Sequence, residues 1–187
     1  MDHYLDLTLQ PNPEIAQAHL MGALFSKLHH ALVAQHSQKV GISFPAVRAD
    51  RVWLGDCLRL HGSQAELTSL MAAPWLMGLR DHVQATSVLA VPAHAAFRVV
   101  SRVQAKSSPD RLRRRQIRRH GLSEAQAQAR IPDAAAERLN LPYVQLQSQS
   151  TAQAFRLFIR HGPLLEAASP GTFSAYGLSP TATIPWF

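Results

Sequence analysis

At 187 residues the chain suits one ordinary domain or two small ones, and its 47% hydrophobic content is enough for a real core, which argues against a disordered polypeptide. Nineteen Lys and Arg against 12 Asp and Glu give a formal charge of +7, so the expected partner is a polyanion, with nucleic acid and anionic membrane both open on charge alone. No apolar run approaches the ~20 residues that cross a bilayer, and the opening MDHYLDLTLQ lacks a basic stretch leading into an apolar one, so membrane insertion is not expected and a cytoplasmic location is.

Leu5, Leu7 and Leu9 alternate as in a strand, Pro11 and Pro13 close it, and an apolar-periodic segment from Glu14 to about Gln35 reads as a helix. Val40 to Phe44 reads as a strand ending at Pro45, and Cys57 to His61 as its neighbour across a loop. Cys57, the single cysteine, excludes an internal disulfide, is a poor nucleus for zinc, and reads as a small buried apolar residue. Ser63 offers an N-cap for a helix over Gln64 to Ala72, Pro74 is expected to begin a second helical piece to about Val83, and Ser87 to Val91 reads as a strand. The order of strand, helix, strand, strand, helix, strand predicts a ferredoxin-like, split-βαβ domain over residues 1–94, within an α+β chain.

Past Pro92 the composition shifts towards Arg and Gln, which places a boundary near residue 95 and a second, smaller α+β domain over 95–187. Eight of the 19 basic residues fall between Arg102 and Arg119, with only Asp110 against them. Ser108, Pro109 and Asp110 mark a helix start and Gly121 a stop, predicting an arginine-rich helix at about 109–120. At ~100° per residue Arg111, Arg115 and Arg118 share one broad face flanked by Arg114 and Arg119. A run of one sign repels itself and gains most when a phosphate backbone neutralises it. Ser123 with Gln126 resembles a capping box opening another helix, which Pro132 ends, and Ala134 to Leu139 is expected to add a further turn or two. Tyr143 to Leu146 and Phe155 to Ile159 read as strands joined by a polar loop, Gln147 to Gln153.

In the first helix Met21, Leu24, Phe25, Leu28 and Leu32 define the apolar stripe. That puts His29 at its edge, ~80° from the centre, and His30 facing water. Histidine chemistry suits a general base, although a boundary histidine is more often structural. Ser148 and Ser150, in Gln147-Ser148-Gln149-Ser150-Thr151, read by themselves as loop hydroxyls.

Several separated segments nevertheless combine into a pattern: Arg102-Val103-Gln104-Ala105-Lys106-Ser107, Arg111 to Arg115, Ser148 to Thr151, Phe155 to Gly162, Met1 to Asp6, Leu28-His29 and Pro185-Trp186-Phe187. Across essentially the whole chain this resembles the repeat-processing endoribonuclease family of type I-F CRISPR systems. The resemblance implies a metal-independent enzyme without cofactors that cuts precursor RNA at the 3′ base of a CRISPR repeat hairpin, stays on its product, and works with other subunits of a surveillance complex. It matches His29 to a general base, Ser148 to a serine holding the ribose with the attacking 2′-hydroxyl, and Tyr176 to a tyrosine orienting the histidine. Arg102 and Gln104 match a pair reading base edges, and Phe155 matches an aromatic stacking on the terminal base pair. Arg115, Arg118, Arg119 and His120 match a helix on phosphates and groove, with Arg111, Arg114 and Ser150 also placed among the RNA contacts. The sequence departs from the family pattern at Gly62 to Ala95 and Leu165 to Thr183, and Tyr176 lies in the second stretch. Two other readings remain open at this point: a non-catalytic basic RNA-binding module, and a metal-dependent nuclease, which the scattered acids disfavour.

Overall fold

Leucine at every second position is what makes the first strand. β1 (His3–Leu9) turns Leu5, Leu7 and Leu9 into the core. In a computed structural model, which describes residues 1–48, 52–104, 109–132, 139–148 and 153–187, the chain forms two units, Met1–Val103 with Leu141–Phe187, and Gln104–Asn140.

In the first unit, β1 is followed by α1 (Gln17–Ala34), β2 (Gly41–Ser43), β3 (Cys57–Gly62), α2 (Gln64–Ala72), β4 (Val83–Ala85) and β5 (Leu89–Ala90). The order β2-β3-β1-β4, antiparallel at each junction, is the ferredoxin-like sheet expected from the sequence. α1 starts three residues later than its periodicity suggests because the Asn12 side chain accepts from the backbone N–H groups of Glu14 and Ile15, holding the chain in a turn. α2 opens on a full capping box between Ser63 and Glu66.

The helix expected from Pro74 to Val83 is absent. Gly78 takes φ +81, which no α-helix accommodates, and the segment closes instead through short turns, Met77 N–H to Pro74 O and Leu79 N–H to Leu76 O. One 3-10 turn at Arg80–His82 then leads into β4. The strand expected over Ser87 to Val91 shrinks to β5, because Thr86 bonds the backbone of Asp6 through both its own N–H and its hydroxyl and splits the edge into β4 and β5.

A second sheet runs β7-β8-β6-β9, from β6 (Ala96–Val103), β7 (Tyr143–Gln147), β8 (Ala154–Leu165) and β9 (Thr183–Trp186). Sequence reading foresaw part of β7 and β8 but not β6, whose Arg98 and Arg102 and a bulge between Arg98 and Val100 break the alternation. α1 lies against both sheets. Its stripe packs into the leucines of the first, and Gly22 lies so close to β7 that a Cβ there would sit 2.7 Å from the Gln145 carbonyl oxygen. Among the described residues no helix is long and apolar enough to cross a membrane.

Asp6 and Arg59 face one another across β1 and β3 and pair through both guanidinium nitrogens, Nε to Oδ1 at 2.7 Å and Nη2 to Oδ2 at 2.9 Å. The guanidinium packs against both the Tyr4 and Phe187 rings, at 4.6 and 4.1 Å from their centroids, and donates to the Phe187 carbonyl. Cys57 is half-buried, and burial first, then the Asp6 charge, pushes its thiol up to about 11, so it stays protonated and inert at neutral pH.

Two histidines, His61 buried and His161 half-buried, are expected to make stability depend on pH. Burial, then the Arg59 charge, pushes His61 down to about 3, and burial, then Arg98, pushes His161 down to about 4. Both rings are therefore neutral in the folded protein while the unfolded chain protonates them below about pH 6.5. Stability is fully present above that pH and is lost as pH falls towards 4, at up to about 1.4 kcal/mol per pH unit for each histidine. Urea unfolding at pH 7 and pH 5 checks this: His61→Gln is expected to lose less stability between the two than the parent, and equal losses would show that His61 does not carry the effect.

The second unit pairs α3 (Pro109–His120) with α4 (Glu124–Arg130), the latter opening on the expected capping box of Ser123 and Gln126. Leu112, Arg113, Gln116 and Ile117 are partly buried, whereas Arg111, Arg114, Arg115, Arg118, Arg119 and His120 are exposed, which reproduces the arginine face drawn from helical spacing. Arg113 falls on the inner side and donates from Nε to the Ile131 carbonyl at 2.8 Å, tying α3 to the end of α4. The further turn expected from Ala134 lies outside the described residues.

Candidate active site

His29 sits two turns beyond Gly22 on α1, where the helix leaves the core: Leu28 is buried, His29 half-buried and His30 exposed. Its Nδ1 lies 2.8 Å from the Ala175 carbonyl oxygen. A carbonyl only accepts, so Nδ1 carries the proton of the neutral ring and Nε2 keeps a bare lone pair. The Tyr176 ring stacks on the imidazole at 4.1 Å and 11°, and lies 5.9 Å from Phe25, one helical turn before His29. The result is a histidine with a fixed plane, a fixed tautomer and one nitrogen ready to accept a proton.

The Arg102 guanidinium lies 5.8 Å from the centroid of the Tyr176 ring, at the outer edge of the ~6 Å range for cation–π attraction. Arg102 pairs with Ile159, and Phe155 with Leu146. Directly opposed residues share a sheet face, so Arg102 and Phe155 project on the face that also carries Leu146, Leu157 and Ile159. Phe155 lies four residues from Ile159 along β8, ~13 Å at the strand rise. It is half-buried against the core. Ser148, just past β7, continues the parity of Val144 and Leu146, and its N–H bonds the Gln153 carbonyl at the base of the loop. Ser150 lies outside the described residues. Gln104 is exposed immediately after β6.

The structure thus brings His29, Tyr176 and Arg102 into one stack, with Ser148 and Phe155 carried by the β7–β8 hairpin of the same unit. Arg111, Arg114, Arg115, Arg118, Arg119 and His120 belong to the other unit. Sequence reasoning missed the Ala175 carbonyl and the turn that presents it. Its signal was Ser174 followed three residues later by Gly177, a turn pattern. Among the described residues no three His, Cys, Asp or Glu side chains cluster as metal ligands do.

A ferredoxin-like domain holding a buttressed histidine, in a chain that also carries an arginine-faced helix, defines a class: basic α+β proteins with an exposed cationic helix. The family model described as CRISPR-associated protein (Cas_Csy4) matches residues 4–187. The CRISPR-associated endonuclease Cas6/Csy4 of Pseudomonas aeruginosa (strain UCBPP-PA14) is 56% identical over 187 residues, spanning 100% of both chains. A protein of the same name from Escherichia coli (strain UTI89 / UPEC) is 49% identical over the same full length. The chain belongs to the Csy4 family of CRISPR-associated proteins.

Proposed function

We propose that this protein is a metal-independent endoribonuclease that cuts CRISPR precursor RNA at the 3′ base of the repeat hairpin and keeps the product. The observation that carries the reading is the state of His29: Nδ1 committed to the Ala175 carbonyl, the ring stacked on Tyr176, and Nε2 left as a proton acceptor. RNA supplies its own nucleophile. Nε2 takes the proton of the 2′-hydroxyl, the freed oxygen attacks the adjacent phosphorus, and the bond to the 5′ oxygen breaks as that oxygen takes a proton from water, the imidazolium then returning its own proton to solvent. One product end is a 5′-hydroxyl and the other a cyclic or opened phosphate. Ser148 holds the ribose that bears the nucleophile, while Arg102 and Gln104 read base edges near the bottom of the stem. Phe155 stacks on its terminal pair.

Residues 95–187 act in this reading as the recognition half. The exposed arginines of α3, together with His120, take the phosphates, and Ser150 joins Ser148 at the RNA. The same product, held as a handle, is what other subunits of a type I-F surveillance complex would assemble on in the cytoplasm. Cleavage of a labelled repeat hairpin in EDTA tests the chemistry. The RNA is expected to be cut at one position with a 5′-hydroxyl, and a hairpin with 2′-deoxyribose only at the nucleotide before the cut is expected to bind and remain whole. Cutting of that deoxy substrate at the parent rate would show that the 2′-hydroxyl is not the nucleophile.

A further inference from the structure

We propose that Ser174 and Gly177 are positioning residues for His29. They build a locked turn whose Ala175 carbonyl decides which ring nitrogen holds the proton and whose Tyr176 side chain fixes the plane of the imidazole. The proposal rests on reading His29 as the general base and identifies what makes it one.

The turn is closed from every side. Gly177 N–H donates to the Ser174 carbonyl at 2.8 Å, Ser174 N–H to the Leu178 carbonyl at 2.8 Å, and Tyr176 N–H to the Ser174 hydroxyl at 3.3 Å. Ile42, the central residue of β2, donates its N–H to the Gly177 carbonyl at 3.0 Å, which fastens the turn to the first sheet. Gly177 has φ +69, and a Cβ there would stand 2.6 Å from the Ile42 Cγ2. Any side chain at 177 is therefore strained by its own backbone and pushed off β2 at once. β2 and α1 belong to the same packed core, so the turn holds a carbonyl and a ring at a fixed distance from the helix that carries His29.

The chemical consequence concerns the tautomer. An unconstrained neutral histidine favours the proton on Nε2, which would leave the outward nitrogen unable to accept. The Ala175 carbonyl, 2.8 Å from Nδ1, reverses that preference. The imidazole is held edge-on by this bond and flat by Tyr176 at 4.1 Å, so a displaced turn changes both its protonation pattern and its aim.

The test uses the full chain, read first without RNA. Nitrogen-15 spectra of the neutral His29 ring are expected to show a protonated Nδ1 and a bare Nε2 in the parent, and a mixture of tautomers in Ser174→Ala and Gly177→Ala. Ser174→Asn keeps a side-chain acceptor for the Tyr176 N–H and is expected to restore the parent spectrum. Single-turnover cleavage of the repeat hairpin is expected to slow about threefold to tenfold in Ser174→Ala and about 100-fold in Gly177→Ala, with hairpin affinity unchanged. If Gly177→Ala does not fold, the Ser174 pair carries the comparison. A parent ring protonated on Nε2, or variants that keep both the parent tautomer and the parent rate, would overturn the proposal. A parent that shows the expected tautomer but cuts no RNA would instead sink the nuclease reading and leave the turn standing.

Discussion

His29→Ala is expected to give a folded protein that binds the repeat hairpin as the parent does and cuts it about 10²–10⁴-fold more slowly, the usual contribution of a general base. The separation of binding from rate follows from where the side chain sits. His29 stands at the edge of the α1 stripe rather than within it, so truncation leaves Leu24, Phe25, Leu28 and Leu32 packed. What is lost is one hydrogen bond, worth about 1 kcal/mol, and one ring stack, worth about 0.5–1.5 kcal/mol, neither enough to unfold a domain. His30 is the internal control. It is exposed, one residue and ~100° further round the helix, and His30→Ala is expected to change the rate little. Single-turnover rates and hairpin affinities of the two variants, with melting curves, decide the matter. Equal rate losses from both, or a His29 variant that does not fold, would make His29 a structural residue.

That His29 lies at a boundary was legible in the sequence, because helical periodicity needs only the chain itself. The same holds for the limits of α2 and α3, for the N-cap at Ser63 and for the capping box at Ser123, where one polar side chain answers a backbone N–H three residues away. The Pro74 helix failed for a reason inside its own segment, and the rest of what failed to show was set by residues distant in the chain. The Pro74 segment has helix-forming residues, but Gly78 takes a left-handed conformation. β6 is a strand because β8 and β9 flank it, not because its own arginine-bearing sequence alternates. The orienting device of the site was hidden for the same reason: Ala175 contributes a backbone carbonyl, which has no residue type, to a histidine 146 positions earlier. The family resemblance supplied the role of Tyr176, and the turn around it explains how that ring reaches His29.

Replacing Arg115, Arg118 and Arg119 together with Ala is expected to weaken binding to every RNA and to flatten its salt dependence, leaving the cleavage rate of bound hairpin near that of the parent. All three are exposed on the outer face of α3, opposite the side on which Arg113 is tied to Ile131, so their removal spares the packing of α3 on α4. Each phosphate deprived of its arginine lowers the slope of log affinity against log salt by roughly 0.7–0.9, so three together lower it by about 2–2.7. Arg102→Ala and Gln104→Ala are expected to behave differently. Removing a base-edge hydrogen-bonding partner costs about 1–3 kcal/mol on the preferred stem and little elsewhere, so these variants relax discrimination while keeping most of the salt slope. Arg102 also lies over Tyr176, and its loss is expected to slow cleavage of bound RNA as well. Affinities at several salt concentrations, for the repeat hairpin and for hairpins with swapped basal pairs, separate the two classes. If Arg102→Ala loses affinity equally for every hairpin, Arg102 is another phosphate-binding group. If the triple variant keeps the parent salt slope, the arginine face of α3 is not where the phosphates bind.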